Sequence, residues 1–174
     1  MSYLTAKGWL TVPEREFLKN AAGRVPINGV VLNIGVEFGA SIHCVRAGNK
    51  SCNLVAVDLI GARKFQGQIE GDSVGFYEMD SGELAKQWVG EIDFAFIDGD
   101  HTYEGVLSDC EFLHSVKVDG IAAFHDCYSW ESPPKTVHKV CPDVNRAVED
   151  WKADNPNWQE LEHVDSIRVF RRLS

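Results

Sequence analysis

The sequence predicts an α/β fold, a mostly parallel sheet with helices on both faces. Three observations carry this expectation. Short apolar runs alternate with helix-like segments, the order that yields parallel strands joined by crossover helices. Several of these runs stop abruptly in acids, as Ile92–Ile97 does in Asp98-Gly-Asp-His101. The last two runs, Trp158–His163 and Ile167–Arg171, flank Val164-Asp-Ser166 and read as an antiparallel hairpin.

Taken in order, Thr11–Ala22 reads as a helix. Thr11 can cap it, Pro13 suits its first turn, Glu14 and Glu16 favour the positive end of its dipole, and Gly23 ends it. Val30–Ile34 is a short apolar strand. It runs into the turn Gly35-Val-Glu-Phe-Gly39 and a helix from about Ser41 to Gly48. Asn53–Val57 is a second strand, ending in Asp58. Between Gly61 and Gly71 a short helix and a loop fit equally. Ser73–Glu78 is a third strand, followed by Met79-Asp80, and Glu83–Val89 is a short helix. Ile92–Ile97 is the fourth strand, with Asp93 at its solvent-facing start. Tyr103–Val116 is a helix with Val106, Cys110 and Leu113 on one face, and Gly120–Phe124 is the fifth strand, ending in His125-Asp126. The Pro- and aromatic-rich stretch Cys127–Cys141, with Tyr128, Trp130, Pro133 and Pro134, suits a lid or substrate wall. Val144–Ala153 is a helix capped by Asp143.

The 174 residues fit a single domain spanning 1–174. A net charge of −9 argues against nucleic acid or an anionic membrane as a partner. No apolar run approaches the roughly 18 residues of a membrane helix, and Met1–Trp9 lacks the order of a signal peptide, so a cytoplasmic location is expected. The five cysteines form no C-x-x-C pair and are expected to be reduced.

In such a fold ligands bind at the carboxyl ends of the strands, where strand order reverses. The polar residues fall there. Gly35–Gly39 lets a ligand approach the backbone, and Asp58 can accept both hydroxyls of a ribose, which a dinucleotide and an S-adenosyl cofactor both present. The loop lacks the G-x-G-x-x-G spacing, and Glu37 would repel a pyrophosphate. An acid-lined site suits the sulfonium and ammonium groups of S-adenosylmethionine. Asp80 is placed to hold an adenine amino group.

These residues resemble a known family. Val31-Leu-Asn-Ile-Gly-Val-Glu-Phe-Gly-Ala-Ser41, Val55-Ala-Val-Asp58, Phe96–Asp109 and Gly120–Asp126 are similar to class I S-adenosylmethionine-dependent methyltransferases. The nearest likeness is to the small-molecule O-methyltransferase-like group with an I-D-G-D-H-x-Y motif. It covers roughly residues 12 to 172 and is most specific from Asp98 to Asp126. The resemblance implies a Rossmann-like class I methyltransferase fold, with a single central seven-stranded sheet and an antiparallel terminal hairpin. It implies that Gly35, Glu37 and Gly39 flank the methionine part of the cofactor, that Asp58 holds the ribose, that Asp80 with Ser81 lies near the adenine, and that Asn33, Ser41 and Asp98 also belong to the cofactor site, with Asp98 catalytic as well.

Likeness to catechol-type enzymes implies more. Asp98, His125 and Asp126 occupy the positions that hold a divalent metal, Mg, Mn or a similar ion, and His101 the position of the base. Asn33 stands where the family has an acid. His125 suits manganese, iron or zinc better than magnesium. The expected function is methyl transfer from S-adenosyl-L-methionine to a hydroxyl of a small molecule, with metal assistance as an option. The alternative is a non-catalytic or differently acting S-adenosylmethionine- or nucleoside-binding module on the same fold. A homo-oligomer is compatible with so short a chain.

Overall fold

The computed structural model describes residues 2–69, 73–127 and 141–174. The expected lid, with Tyr128, Trp130, Pro133 and Pro134, lies outside the described residues. The described residues form helices α1 (Val12–Arg24), α2 (Ala40–Gly48), α3 (Ser81–Ala85), α4 (Tyr103–Asp109) and α5 (Pro142–Asp154). The strands are β1 (Val30–Ile34), β2 (Asn53–Asp58), β3 (Val74–Glu78), β4 (Ile92–Ile97), β5 (Val116–Phe124), β6 (Trp158–Val164) and β7 (Ile167–Arg172). Single 3-10 turns cover Ala62–Phe65 and Cys110–Ser115.

One seven-stranded sheet runs in the order β3-β2-β1-β4-β5-β7-β6. The first five strands are parallel; β7 pairs antiparallel with both β5 and β6. The expected fold class is therefore observed. Order reverses between β1 and β4, which pair from Val31↔Phe94 to Ile34↔Ile97, so their carboxyl ends diverge into a crevice.

Alternating side chains divide the core into two layers. Leu32, Ile34, Val57, Ala95, Ile97 and Phe124 pack under α3, α4 and α5; Val31, Leu54, Ala56, Phe94 and Phe96 pack under α1 and α2. Phe124 centres an aromatic cluster, with ring centroids 5.1 Å from Trp151 and 5.7 Å from Phe170. Arg168 of β7 is buried and ion-pairs with Glu160 and Glu149, which ties the terminal hairpin to α5.

Helix α1 runs through Gly23, which was expected to end it, as far as Arg24, where Val25 takes the cap position. Four further departures have local reasons. Helix α3 begins at Ser81 because Asp80 caps it, its Oδ1 accepting from Glu83 N at 3.0 Å. The segment expected as one helix from Tyr103 tightens to 3-10 after Asp109, although Val106, Cys110 and Leu113 are all buried as the periodicity requires. Strand β5 starts at Val116; its pairing with β4 slips between Ile92 and Phe94, which left only the stretch from Gly120 readable as strand. Asp143 lies in the first turn of α5 and does not cap it; Cys141 holds the cap position, with no side-chain hydrogen bond to the helix N-terminus. Asp93 is not solvent-facing: it accepts from Val30 N at 2.7 Å and pairs with Lys117 at 2.9 Å, pinning β1 to β4 and β5.

Candidate functional site

A cavity of about 700 Å³ opens at the carboxyl edge of the sheet, within the range of small-molecule sites. Its floor is the turn after β1. Gly35 has φ +80°, and a Cβ there would lie 1.8 Å from the Asp98 carbonyl oxygen, so only glycine lets this turn cross the end of β4. Glu37 also has positive φ, at 39°. Asp58 stabilises this backbone: its Oδ2 accepts from Val36 N at 2.8 Å and Glu37 N at 3.0 Å.

Most residues expected at the site line the cavity: Gly35, Glu37, Ser41, Asp58, Asp80, Ser81, Asp98, His101, His125 and Asp126. Asn33 and Gly39 stand behind it. Asn33 is fully buried, and its Nδ2 donates to Gly35 O at 2.8 Å, so it braces the turn. Gly39 starts α2 with φ +87° against the Phe65 ring. The described lining carries many carboxylates and no lysine or arginine. That charge suits a cationic ligand and disfavours a pyrophosphate, the electrostatic test that an S-adenosyl cofactor passes and a dinucleotide fails.

At the mouth, two strand ends meet. Asp98 N donates to Ile34 O, and His125 N to Ile97 O, both at 3.0 Å, so the sheet ladder itself sets the two backbones side by side. His125 Nδ1 lies 3.0 Å from Asp98 Oδ1 and 3.6 Å from Asp126 Oδ2. His101 Nε2 lies 2.9 Å from Asp126 Oδ2 and 3.8 Å from Asp98 Oδ1. Asp126 holds φ +58°, a left-handed conformation that aspartate tolerates better than most residues and that turns its carboxylate back toward the two imidazoles. Ligand atoms of Asp98, His125 and Asp126 lie within 4.8 Å of one another, so this donor set fits a divalent metal. The Asp126 hydrogen bond raises the His101 pKa above its ordinary value against the opposing effect of burial. Burial would lower that of His125, but Asp98 and Glu14 on either side drive it well above the usual range.

Three contributions went unread in the sequence. Gly8, Trp9, Leu10 and Thr11 form one wall of the cavity, and Trp9 Nε1 donates to Glu37 Oε1 at 3.3 Å. Glu14 lies in the first turn of α1, as expected, but it is fully buried. Burial would raise its pKa, but bonds from His125, Ser166 and Thr11 outweigh this and hold it at about 2. The only signal was Thr11-x-x-Glu14, a capping box that does form. Asp109 accepts a short hydrogen bond from Ser81 Oγ and is pushed up to about 7, chiefly by burial. Asp100 serves as a turn acid, its Oδ1 accepting from Thr102 N at 3.1 Å while Thr102 caps α4.

The comparisons with known proteins agree with this geometry. A solved O-methyltransferase from Bacillus cereus in complex with SAH matches with TM-score 0.67 and 18% identity, covering 94% of this chain and 83% of that one. The O-methyltransferase TomG from Streptomyces achromogenes, in complex with SAM, matches with TM-score 0.69 and 10% identity, covering 95% and 82%. The MycE methyltransferase, in a complex with Mg, SAH and mycinamycin VI, matches with TM-score 0.69 and 13% identity; this chain is 98% covered but spans about half of that one, 51%. No curated protein sequence matches. These identities establish the fold. The family follows from the sequence itself: the model of a methyltransferase domain matches residues 32–127, from β1 through the His125-Asp126 pair, and this is more than half of the chain. The chain belongs to that methyltransferase domain family.

Proposed function

We propose that this protein transfers a methyl group from S-adenosylmethionine to a hydroxyl of a small molecule, with a divalent metal at Asp98, His125 and Asp126. The observation that supports this most is the meeting of His101, Asp126 and Asp98 at the mouth of an acid-lined cavity. Asp58 Oδ1, whose nearest donor is Ile60 N at 3.5 Å, is available to ribose hydroxyls while Oδ2 holds the turn. Glu37 and Asp98 offer negative charge to the sulfonium and ammonium groups. The cofactor supplies an electrophilic methyl, and the metal, when bound, polarises the acceptor hydroxyl.

The protein's own part is to orient the acceptor and take its proton. With His101 Nε2–H donating to Asp126 Oδ2, Nδ1 is the nitrogen left to accept the hydroxyl proton, and the resulting imidazolium is held by the same carboxylate. Fixing acceptor and donor in one cavity removes much of the entropic barrier to an in-line transfer.

Calorimetric titration with S-adenosylmethionine and S-adenosylhomocysteine tests the reading first, and absence of binding by both overturns it. Labelled-methyl transfer to a panel of hydroxyl-bearing small molecules tests the reaction. His101→Ala is expected to lower turnover by about 10²–10⁴-fold while cofactor affinity holds. Cofactor binding without transfer to any acceptor would favour the binding-module alternative.

A further inference from the structure

We propose that Glu14 is a positioning residue for the metal site: it fixes His125 so that Nδ1 serves as the ligand, and it biases the site toward manganese- or zinc-type ions over magnesium. This rests on the metal-assisted reading above. It concerns a residue on α1, remote in sequence from the strand ends that carry the site.

The geometry is specific. Glu14 is fully buried and every contact of its carboxylate is assigned. Oε1 accepts from Ser166 N at 3.0 Å and from Ser166 Oγ at 2.5 Å. Oε2 accepts from Thr11 N at 2.8 Å and faces His125 Nε2 at 3.4 Å. His125 is itself 5% exposed, so its ring has little room to turn. One edge of the imidazole therefore faces a carboxylate inside the protein, and the other faces Asp98 and Asp126 at the cavity.

An imidazole that ligates a metal through one nitrogen carries its hydrogen on the other, and a carboxylate accepting that hydrogen fixes both tautomer and ring orientation. Glu14 stands at that place. Its presence also increases the electron donation of Nδ1. An imidazole donor so supported favours manganese or zinc, whereas magnesium prefers an all-oxygen shell. A purely structural pair, tying α1 to the end of β5, would show the same distances, so the test must read the metal and not only stability.

The metal-free protein is titrated calorimetrically with manganese, zinc and magnesium chlorides, alongside Glu14→Gln. An amide cannot accept on both sides, from Ser166 and from His125 together. The wild type is expected to bind manganese and zinc more tightly than magnesium. The variant is expected to lose about 10–100-fold in manganese and zinc affinity with a smaller change for magnesium. Binding of manganese and zinc by both proteins with equal affinity overturns the role of Glu14 and leaves the metal reading standing. No divalent binding by the wild type overturns the metal reading, and this inference with it. Long-range proton–nitrogen NMR on the wild type with zinc provides a second arm that does not depend on the folding of the variant. The expected spectrum shows His125 with its hydrogen on Nε2 and zinc on Nδ1; zinc on Nε2, or no change at His125, overturns the proposal.

Discussion

Asp109 shows what burial does to a single carboxyl. It is 3% exposed, receives the Ser81 hydroxyl, and feels the charges of Asp100, Asp80 and Asp98. Its pKa of about 7 in the folded chain, against 3.8 ordinarily, means that the folded state keeps a proton the unfolded state has released. Stability therefore falls as pH rises from about 4 through 7. Asp109→Asn keeps the bond from Ser81 and removes the titration. Its melting temperature should depend less on pH over that interval and exceed that of the wild type at pH 8, where the gain in stability is at most about 4 kcal/mol. Thermal denaturation at a series of pH values checks this. The sequence gives no sign of this, because burial is not a local property. Asp98, His125 and Asp126 were legible as site candidates because they follow directly on apolar strands, and His101 because it lies three residues beyond Asp98. Asn33 was expected on the cofactor side of the first strand, not as a residue whose side chain supports Gly35 from behind.

At the level of elements, the turn from β1 to α2 is set by contacts on three strands. Gly35 N donates to Val57 O at 2.9 Å, while Asp98 N donates to Ile34 O. Gly35→Ala places a methyl group against the Asp98 carbonyl at a φ that alanine resists. The expected cost is more than about 2 kcal/mol together with loss of S-adenosylhomocysteine binding. Chemical denaturation and calorimetry read the two effects separately. Strand and helix identities were legible from apolar periodicity. Boundaries were less so wherever a cap or a slipped register decided them: Asp80 started α3 early, and the irregular pairing at β5 hid its first residues. No described helix is long and apolar enough to cross a membrane, in line with the hydropathy of the sequence.

Across the whole molecule, the sheet order converts five separate strand ends into one crevice, and a ligand seated there joins β1, β2, β4 and β5 with the segment before α1. Binding should then stabilise the entire fold. At a hundredfold excess over Kd, S-adenosylhomocysteine contributes about 2.7 kcal/mol, which for a chain of this size raises the melting temperature by roughly 5–10 °C. Differential scanning fluorimetry checks it, and Asp58→Asn, which weakens the turn and the proposed ribose contact, should reduce the shift.

The sequence by itself determined the alternation of strands and helices, the antiparallel ending, and the polar residues at each strand end, because each is a matter of local periodicity and composition. Tertiary structure alone decided that Glu14 reaches His125, 111 residues away, that Trp9 and Glu37 close one wall, and that burial raises the pKa of Asp109. Those outcomes depend on which surfaces pack together and how far water is excluded, and neither quantity is written in the spacing of residues along the chain.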